Sequence, residues 1–333
     1  NVGFDASFLN GRLDLSAEYY NSKSKDILVG VLIPASTGFI NLDPVVNAAS
    51  IQNTGVELTL TFRGKAKRNF KYEVSANVSS VNNKVLALGG NNEPLIGAGA
   101  RTVVGREIGE HYGFVYDGIF QNQAEITAHA TQFGAVLAPG DIRYKDISGP
   151  EGKPDGIVDE AFDRTYLGSG IPKLHYGFNF TASYKNIDFS IFASGSGNFM
   201  INSRMYRDLH HSAGAINYSK DMLNRWTPTN TNTDIPRLND DDVNNFKDSN
   251  RPGWLQSGTY LRINTVSVGY TIPASLIKGL STSRIYATVQ NLYSFQGYKG
   301  YNPDFTSGVL NPGFDFGSYP KPRTVMVGVQ LTF

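Results

Sequence analysis

The 333-residue sequence has no Cys, only 2 Trp and 4 Met, and no long apolar run. Without Cys there is no thiolate nucleophile, no thiolate zinc site and no disulfide. A membrane helix needs roughly 18 consecutive apolar residues, so a helical membrane protein is excluded. An excess of one charge is also missing, with 30 Lys and Arg against 29 Asp and Glu. That balance gives no field for nucleic acid, and no nucleic-acid partner is expected. Mean hydropathy is low, at -0.26. Such a value points to a soluble protein only where apolar residues cluster, and in an alternating strand they do not. The chain opens at Asn1 with neither Met nor signal peptide and is read as a mature or partial chain.

What the sequence does have is period two. Leu13, Leu15, Ala17 and Tyr19 alternate with Arg12, Asp14, Ser16 and Glu18. Successive strand side chains face opposite sides, so this segment has one apolar and one charged face. Val56 to Phe62 alternates with Glu57 to Arg63, and Phe70 to Val78 with Lys71 to Asn77. The same holds from Leu174 to Tyr184, from Arg284 to Gln290 and from Thr324 to Phe333. The segment at 187–199 alternates but also carries Phe192. The one at 258–271 changes phase near Asn264, through either a bulge or a misplaced boundary. About nine strands result: 1–9, 12–24, 53–63, 69–82, 173–184, 187–199, 258–271, 284–293 and 321–333. Several reach the roughly 9–11 residues that a tilted membrane strand needs.

The connections alternate in length. Asn10-Gly11 reads as a two-residue hairpin turn, and 64–68, 185–186 and 272–283 are short or modest. Segments 25–52, 83–172, 200–257 and 294–320 are long. Tight turns on one side and large loops on the other are the mark of an up-and-down barrel, with the long loops outside. The fold class is therefore all-β, an antiparallel transmembrane β-barrel with long extracellular loops. An odd strand count makes 1–333 a portion of a larger barrel.

The loops hold the candidate sites. The stretch Asp146 to Asp159 is rich in Asp, Gly and Pro. Oxygen ligands at short spacing suit Ca2+, but Pro150, Gly152 and Pro154 interrupt the EF-hand spacing, and Asp-Gly turns are the preferred reading. No cofactor is expected, with structural Ca2+ in this loop as the one candidate. Segment 203–226 is the helical candidate, with Met205, Leu209, Ile216, Leu223 and Trp226 along one stripe. His210-His211 diverge on a helix and lack a third ligand, and Asp240-Asp241-Asp242 reads as a solvated turn. Nucleophile elbow, phosphate-cradling lysine loop and paired-His zinc helix are all missing, so no catalytic residue is assigned. Trp254, Tyr298 and Tyr301 are candidates to stack on a sugar or peptide, against girdle or loop packing as the competing role.

Read in order, several motifs resemble the SusC/RagA family of TonB-dependent outer-membrane transporters of Gram-negative bacteria. They include Phe8-Leu9-Asn10-Gly11-Arg12, Asn53-Thr54-Gly55-Val56-Glu57, and Gly140 to Asp146 with Asp155-Gly156 and Asp163-Arg164. Arg225-Trp226-Thr227-Pro228, Gln290-Asn291-Leu292, Gly300-Tyr301-Asn302-Pro303 and Tyr319-Pro320-Lys321-Pro322-Arg323 follow. The insertion around Pro150–Pro154 departs from the family pattern. The resemblance implies the C-terminal portion of a barrel of about 22 strands. It also implies a plug and a TonB-interacting segment upstream. The implied partners are a SusD-like surface lipoprotein, TonB and outer-membrane lipid, and the substrate is an oligosaccharide or peptide. The implied function is import without bond chemistry, so the chain is not read as an enzyme. The alternatives are a passive porin or adhesin-type barrel, or a secreted β-rich carbohydrate-binding protein. The terminal Phe333 looks like such a barrel's assembly signal. Deleting Phe333 is expected to lower the amount of folded, heat-modifiable protein in the outer membrane. An unchanged folded band on a gel would refute that role.

Overall fold

The structure is a computed structural model that describes residues 1–30, 45–64, 69–210, 217–239, 243–273 and 281–332. Its main element is a nine-stranded antiparallel meander, each strand paired with its sequence neighbour in the sheet. The strands are β1 (Val2–Phe8), β2 (Leu13–Gly30), β3 (Val45–Arg63), β4 (Phe70–Ala87) and β5 (Leu174–Tyr184). They continue as β6 (Ile187–Gly197), β7 (Tyr260–Ile272), β8 (Thr282–Gln296) and β9 (Thr324–Thr332). No helix among the described residues is long and apolar enough to cross a membrane.

Register turns the alternation of single strands into faces of a sheet. Leu15, Leu60, Ala76, Phe178, Ala193, Ile263 and Tyr293 stand opposite one another in turn across seven strands. Nearer the short turns, Phe70, Tyr184, Ile187, Tyr270, Ile285 and Val329 form a second row on the same face. On the opposite face Arg63, Glu73, Thr181, Ser190, Ser267 and Thr288 stand in line. Arg63 bridges Asp14 and Glu73 there, and Arg284 donates to Asp188 at 2.9 Å and 2.5 Å. The apolar face stays open, with Leu58 at 39 % and Val327 at 76 % exposure. A face this apolar and this uncovered is a lipid face, and the charges sit where lipid is not.

The phase change near Asn264 is a bulge. Phe192 and Ala193 pair with Thr265 and Ile263, which leaves Asn264 out of the ladder. Its side-chain amide donates to Ser194 Oγ at 2.6 Å. On β8 the matching irregularity lies at Asn291, in the left-handed region at φ 51°. The extra residues keep Leu261 and Ile263 on the same face as Val266 and Val268. The glycine at 328 has a related use. A Cβ there would lie 2.4 Å from the Tyr286 ring, so its absence lets that ring lie flat on the polar face.

Three expectations change. The first turn is wider than two residues: Leu9, Asn10 and Gly11 all adopt positive φ between β1 and β2. The long connection at 25–52 shrinks to 31–44, which lies outside the described residues, because β2 and β3 run further than their apolar alternation does. Segment 203–226 is not one helix. It holds a turn-and-a-half helix, Arg204–Leu209, capped by Ser203, and a 3-10 turn, Lys220–Asn224, capped by Ser219. Leu223 is 82 % exposed, so the supposed stripe has no apolar partner there. Ile216, His211, Asp240 to Asp242 and Phe333 lie outside the described residues.

The face assignment predicts an asymmetry. Leu58→Arg places a charge in hydrocarbon at a cost of about 2–4 kcal/mol at mid-depth. It should sharply reduce membrane assembly, whereas Glu57→Ala on the opposite face should be tolerated. Equal tolerance in an insertion assay would refute the assignment.

Candidate functional site

The described parts of three long connections, within 88–173, 198–259 and 297–323, all leave the sheet at one end and pack on one another. Their cores are small. In the first loop, Phe114 packs with Ile142, Tyr144 and Val158, with Phe133 edge-on to Phe114 at 4.9 Å. A second cluster joins Phe199 and Ile201 to Tyr260 and Tyr298, with Phe305 against it. The second cluster thus brings together the second loop, the first residue of β7 and the third loop.

Cores this small need polar bonds to fix the arrangement, and these cross between loops. Asn245 Oδ1 of the second loop accepts from the Ile142 amide at 2.7 Å. Asn244 donates to the Ile142 carbonyl at 2.8 Å, and Gln132 donates to Asn244 at 2.8 Å. Arg237 makes a forked bond to buried Asp141, at 2.8 Å and 3.2 Å. The Asp248 carbonyl accepts from the Phe114 amide at 2.8 Å. Buried amides cost free energy when unpaired, so each of these bonds specifies one packing of the two loops. Arginine planes add to it: Arg204, Arg207 and Arg251 lie over Phe314, Phe246 and Trp254 at 4.8 Å, 4.2 Å and 5.1 Å. Arg204 is itself buried and paired with Asp248 at 2.9 Å.

The third loop is held from two sides. Tyr298 donates to Asp315 Oδ2 at 2.5 Å, and its hydroxyl oxygen accepts from Ser203 Oγ at 3.2 Å. Burial, with Asp315 adding to it, pushes the Tyr298 phenol well above its ordinary range. Arg262, on the polar face of β7, donates to Asp304 at 3.0 Å and to Asn302 at 2.6 Å. Arg262 is 5 % exposed and anchors this loop. Burial alone would raise the Asp304 carboxyl, yet hydrogen bonds from Lys321 and Arg262 hold it below the usual range.

The candidate ligand residues divide. Trp254 and Tyr298 are 1 % and 3 % exposed and lie inside the loop unit, whereas Tyr301 is 64 % exposed. The third loop shows two further rings, Phe316 at 73 % and Tyr319 at 91 % exposure. No alternation marks them in the sequence, and nothing there separates them from loop packing. The Asp-rich stretch folds on its own backbone. Asp163 accepts from the Ile147, Ser148 and Asp159 amides, Asp159 from Ala161 and Phe162, and Asp155 from Ile157. Among the described residues no three His, Cys, Asp or Glu converge as a metal site requires. His210 stacks on Tyr206 at 3.7 Å, and its Nδ1 bonds the Tyr206 carbonyl at 2.7 Å.

His111 gives the loop unit a pH dependence. It is 1 % exposed, and its Nε2 donates to the Met200 carbonyl at 3.1 Å. Burial, aided by the charge of Arg204, pushes it down from 6.5 to about 4. The unfolded chain therefore takes up this proton at higher pH than the folded one. The neutral ring's contribution is complete above pH 6.5 and is lost as pH falls toward 4, by about 3 kcal/mol in all. Protease resistance of the loops in the folded protein should drop between pH 6.5 and 4. His111→Gln should flatten that profile, and an unchanged profile would refute the assignment.

Comparison with known proteins gives the context of this geometry. No family model matches the chain. The TonB-dependent receptors P26 and P3 of Formosa agariphila are 32% and 31% identical to it across its whole length. The TonB-dependent receptor SusC of Bacteroides thetaiotaomicron is 25% identical, also across the whole chain. The chain spans about a third of these relatives: 34% of P26 and of P3, and 31% of SusC. Structures of the RagAB peptide transporter, and of the RagAB peptide importer in its open-open state, match 99% of the chain and 34% of theirs. Their TM-scores are 0.80 and 0.78 at 22% identity, so they establish the fold. With its β-barrel wall and its likeness along the whole length, the chain is similar to TonB-dependent receptors, SusC among them, about a third of whose length it spans, and it shares the fold of the RagAB transporter.

Proposed function

We propose that the chain is the C-terminal barrel portion of an outer-membrane importer that takes up an oligosaccharide or peptide with energy delivered through TonB. The observation that carries this is the 32% identity along the whole chain to part of a named TonB-dependent receptor, on a sheet whose apolar band faces outward through all nine strands. Among the described residues β1 and β9 each keep one unpaired edge. Hydrocarbon does not tolerate open sheet edges, so in this reading other strands of the whole protein close the barrel. An upstream plug and TonB-interacting segment belong to the same reading. The chain then does no bond chemistry. It supplies wall and loops, with Tyr301, Phe316 and Tyr319 as the rings open to substrate or partner. RagAB is a peptide importer, which supports peptide as one substrate class. A SusD-like surface lipoprotein is the proposed partner, lying over the interlocked loops.

Uptake by cells carrying the full-length gene tests this. Import of labelled oligosaccharides or peptides should depend on the gene and vanish when TonB is deleted. Undiminished uptake without TonB would favour a passive porin. Affinity purification of the full-length protein should bring down a lipoprotein together with bound ligand.

A further inference from the structure

β2, β3 and β4 continue past the apolar band, and the outward-facing residues change there in steps. Tyr19 and Val56 are followed on the same face by Asn21, Thr54 and Asn82, and then by Lys23, Gln52 and Lys84. Lys23 and Lys84 pair with Gln52 from either side, so their Cα atoms are about 10 Å apart, two strand spacings. Both lysines are exposed, and neither has an ion-pair partner among the described residues. Gln52 is already oriented, its amide donating to Asn21 at 2.8 Å.

The first loop completes the place. Residues 105–110 fold beside the upper end of β4, where the Val85 amide donates to the Arg106 carbonyl at 2.8 Å. This leaves an open cavity of about 400 Å³ whose lining includes Gln52, Thr54, Asn82, Lys84 and Arg106. Its acids, Glu107 and Glu110, already have cations of their own. Lys173 lies 2.5 Å from Glu107, and Arg106 makes a fork of 2.6 Å and 2.9 Å to Glu110. The uncompensated charge of the cavity is therefore that of Lys84, with Lys23 on the next strand but one.

Parity decides what this patch meets. It lies on the lipid side of the wall, past the apolar band that ends at Tyr19 and Val56, so it stands at headgroup height and away from any transported solute. Long lysine stems can lie along the apolar band while their ammonium groups stay in the headgroup layer. We propose that Lys23 and Lys84, with Gln52 between them, seat the phosphorylated headgroup of a glycolipid in the outer leaflet. The ammonium groups meet phosphate oxygens, and the Gln52, Thr54 and Asn82 side chains meet sugar hydroxyls. The inference rests on the outer-membrane reading above.

The test uses the full-length protein purified from outer membranes in mild detergent, with bound lipid quantified by mass spectrometry. Wild type should retain phosphorylated glycolipid. The double variant Lys23→Gln/Lys84→Gln should retain about thirtyfold less, as two surface lysines near an anionic headgroup warrant. Lys23→Arg/Lys84→Arg should retain the wild-type amount. Enzymatic removal of the phosphate should abolish retention, and millimolar inorganic phosphate should not displace the lipid. Equal retention by wild type and the Gln variant, in protein that is folded and in the outer membrane, would overturn this proposal alone. Displacement by inorganic phosphate would overturn it in favour of a free-anion site. A wild-type protein found outside the outer membrane would overturn the importer reading, and this proposal with it.

Discussion

The structure depends on one constraint: every strand must turn its apolar side chains to the same surface. Side-chain direction repeats every second residue, so a slip of one residue would turn a whole strand inside out. Register therefore cannot drift, and nine strands keep it from β1 to β9. Where the sequence loses phase, the backbone absorbs the error locally. The bulge at Asn264 and the left-handed Asn291 return Leu261 and Ile263 to the outward face, opposite Phe295 and Tyr293. A bulge loses a ladder bond, but leaving Arg262 outward would be worse. On the inner face Arg262 finds Asp304 and Asn302 and becomes an anchor for a loop.

The strands were legible in the sequence because their physics is periodic. All nine appear near their expected places, and the parity of connection lengths holds wherever the residues are described. What was not legible has a common cause. At the upper ends of β2, β3 and β4 the outward face turns polar at Asn21, Thr54 and Asn82 while Ile51 and Val85 pair on the other face, so the alternation of the band breaks off there. The stripe along 203–226 is packed at Trp226 but open at Leu223, and the chain there turns twice under serine caps. Burial in the loops was equally hidden. No periodicity shows that Trp254 is covered by its near neighbours Arg251 and Phe246 while Tyr301 is open.

The loops obey a different rule from the wall. Their apolar clusters are small, and much of what fixes them is polar: Asp141 with Arg237, Asn244 and Asn245 with Ile142, Asp248 with Arg204 and Phe114. Apolar packing tolerates rearrangement more readily than a buried amide tolerates losing its partner. Three loops joined in this way move as a unit or break at identifiable bonds. The points where the unit meets the wall are few and specific. Tyr260 belongs to both the wall and the second cluster, and Arg262 two residues later holds the third loop.

That join explains a contrast between the two faces of β7. Its outward residues, Leu261, Val268 and Tyr270, are interchangeable apolar surface for lipid, and their identity matters less than their parity. Its inward residues near the loops are bound to particular partners: Arg262 to Asp304, Asn264 to Ser194, Tyr260 to the cluster with Tyr298. Lipid asks only for apolar character at the right depth, whereas a loop must be met atom by atom. Changes that preserve hydropathy should therefore pass on the outer face of this strand and fail on the inner face near its loop end. The same strand thus carries a loose constraint and a strict one, separated only by which way the side chain points.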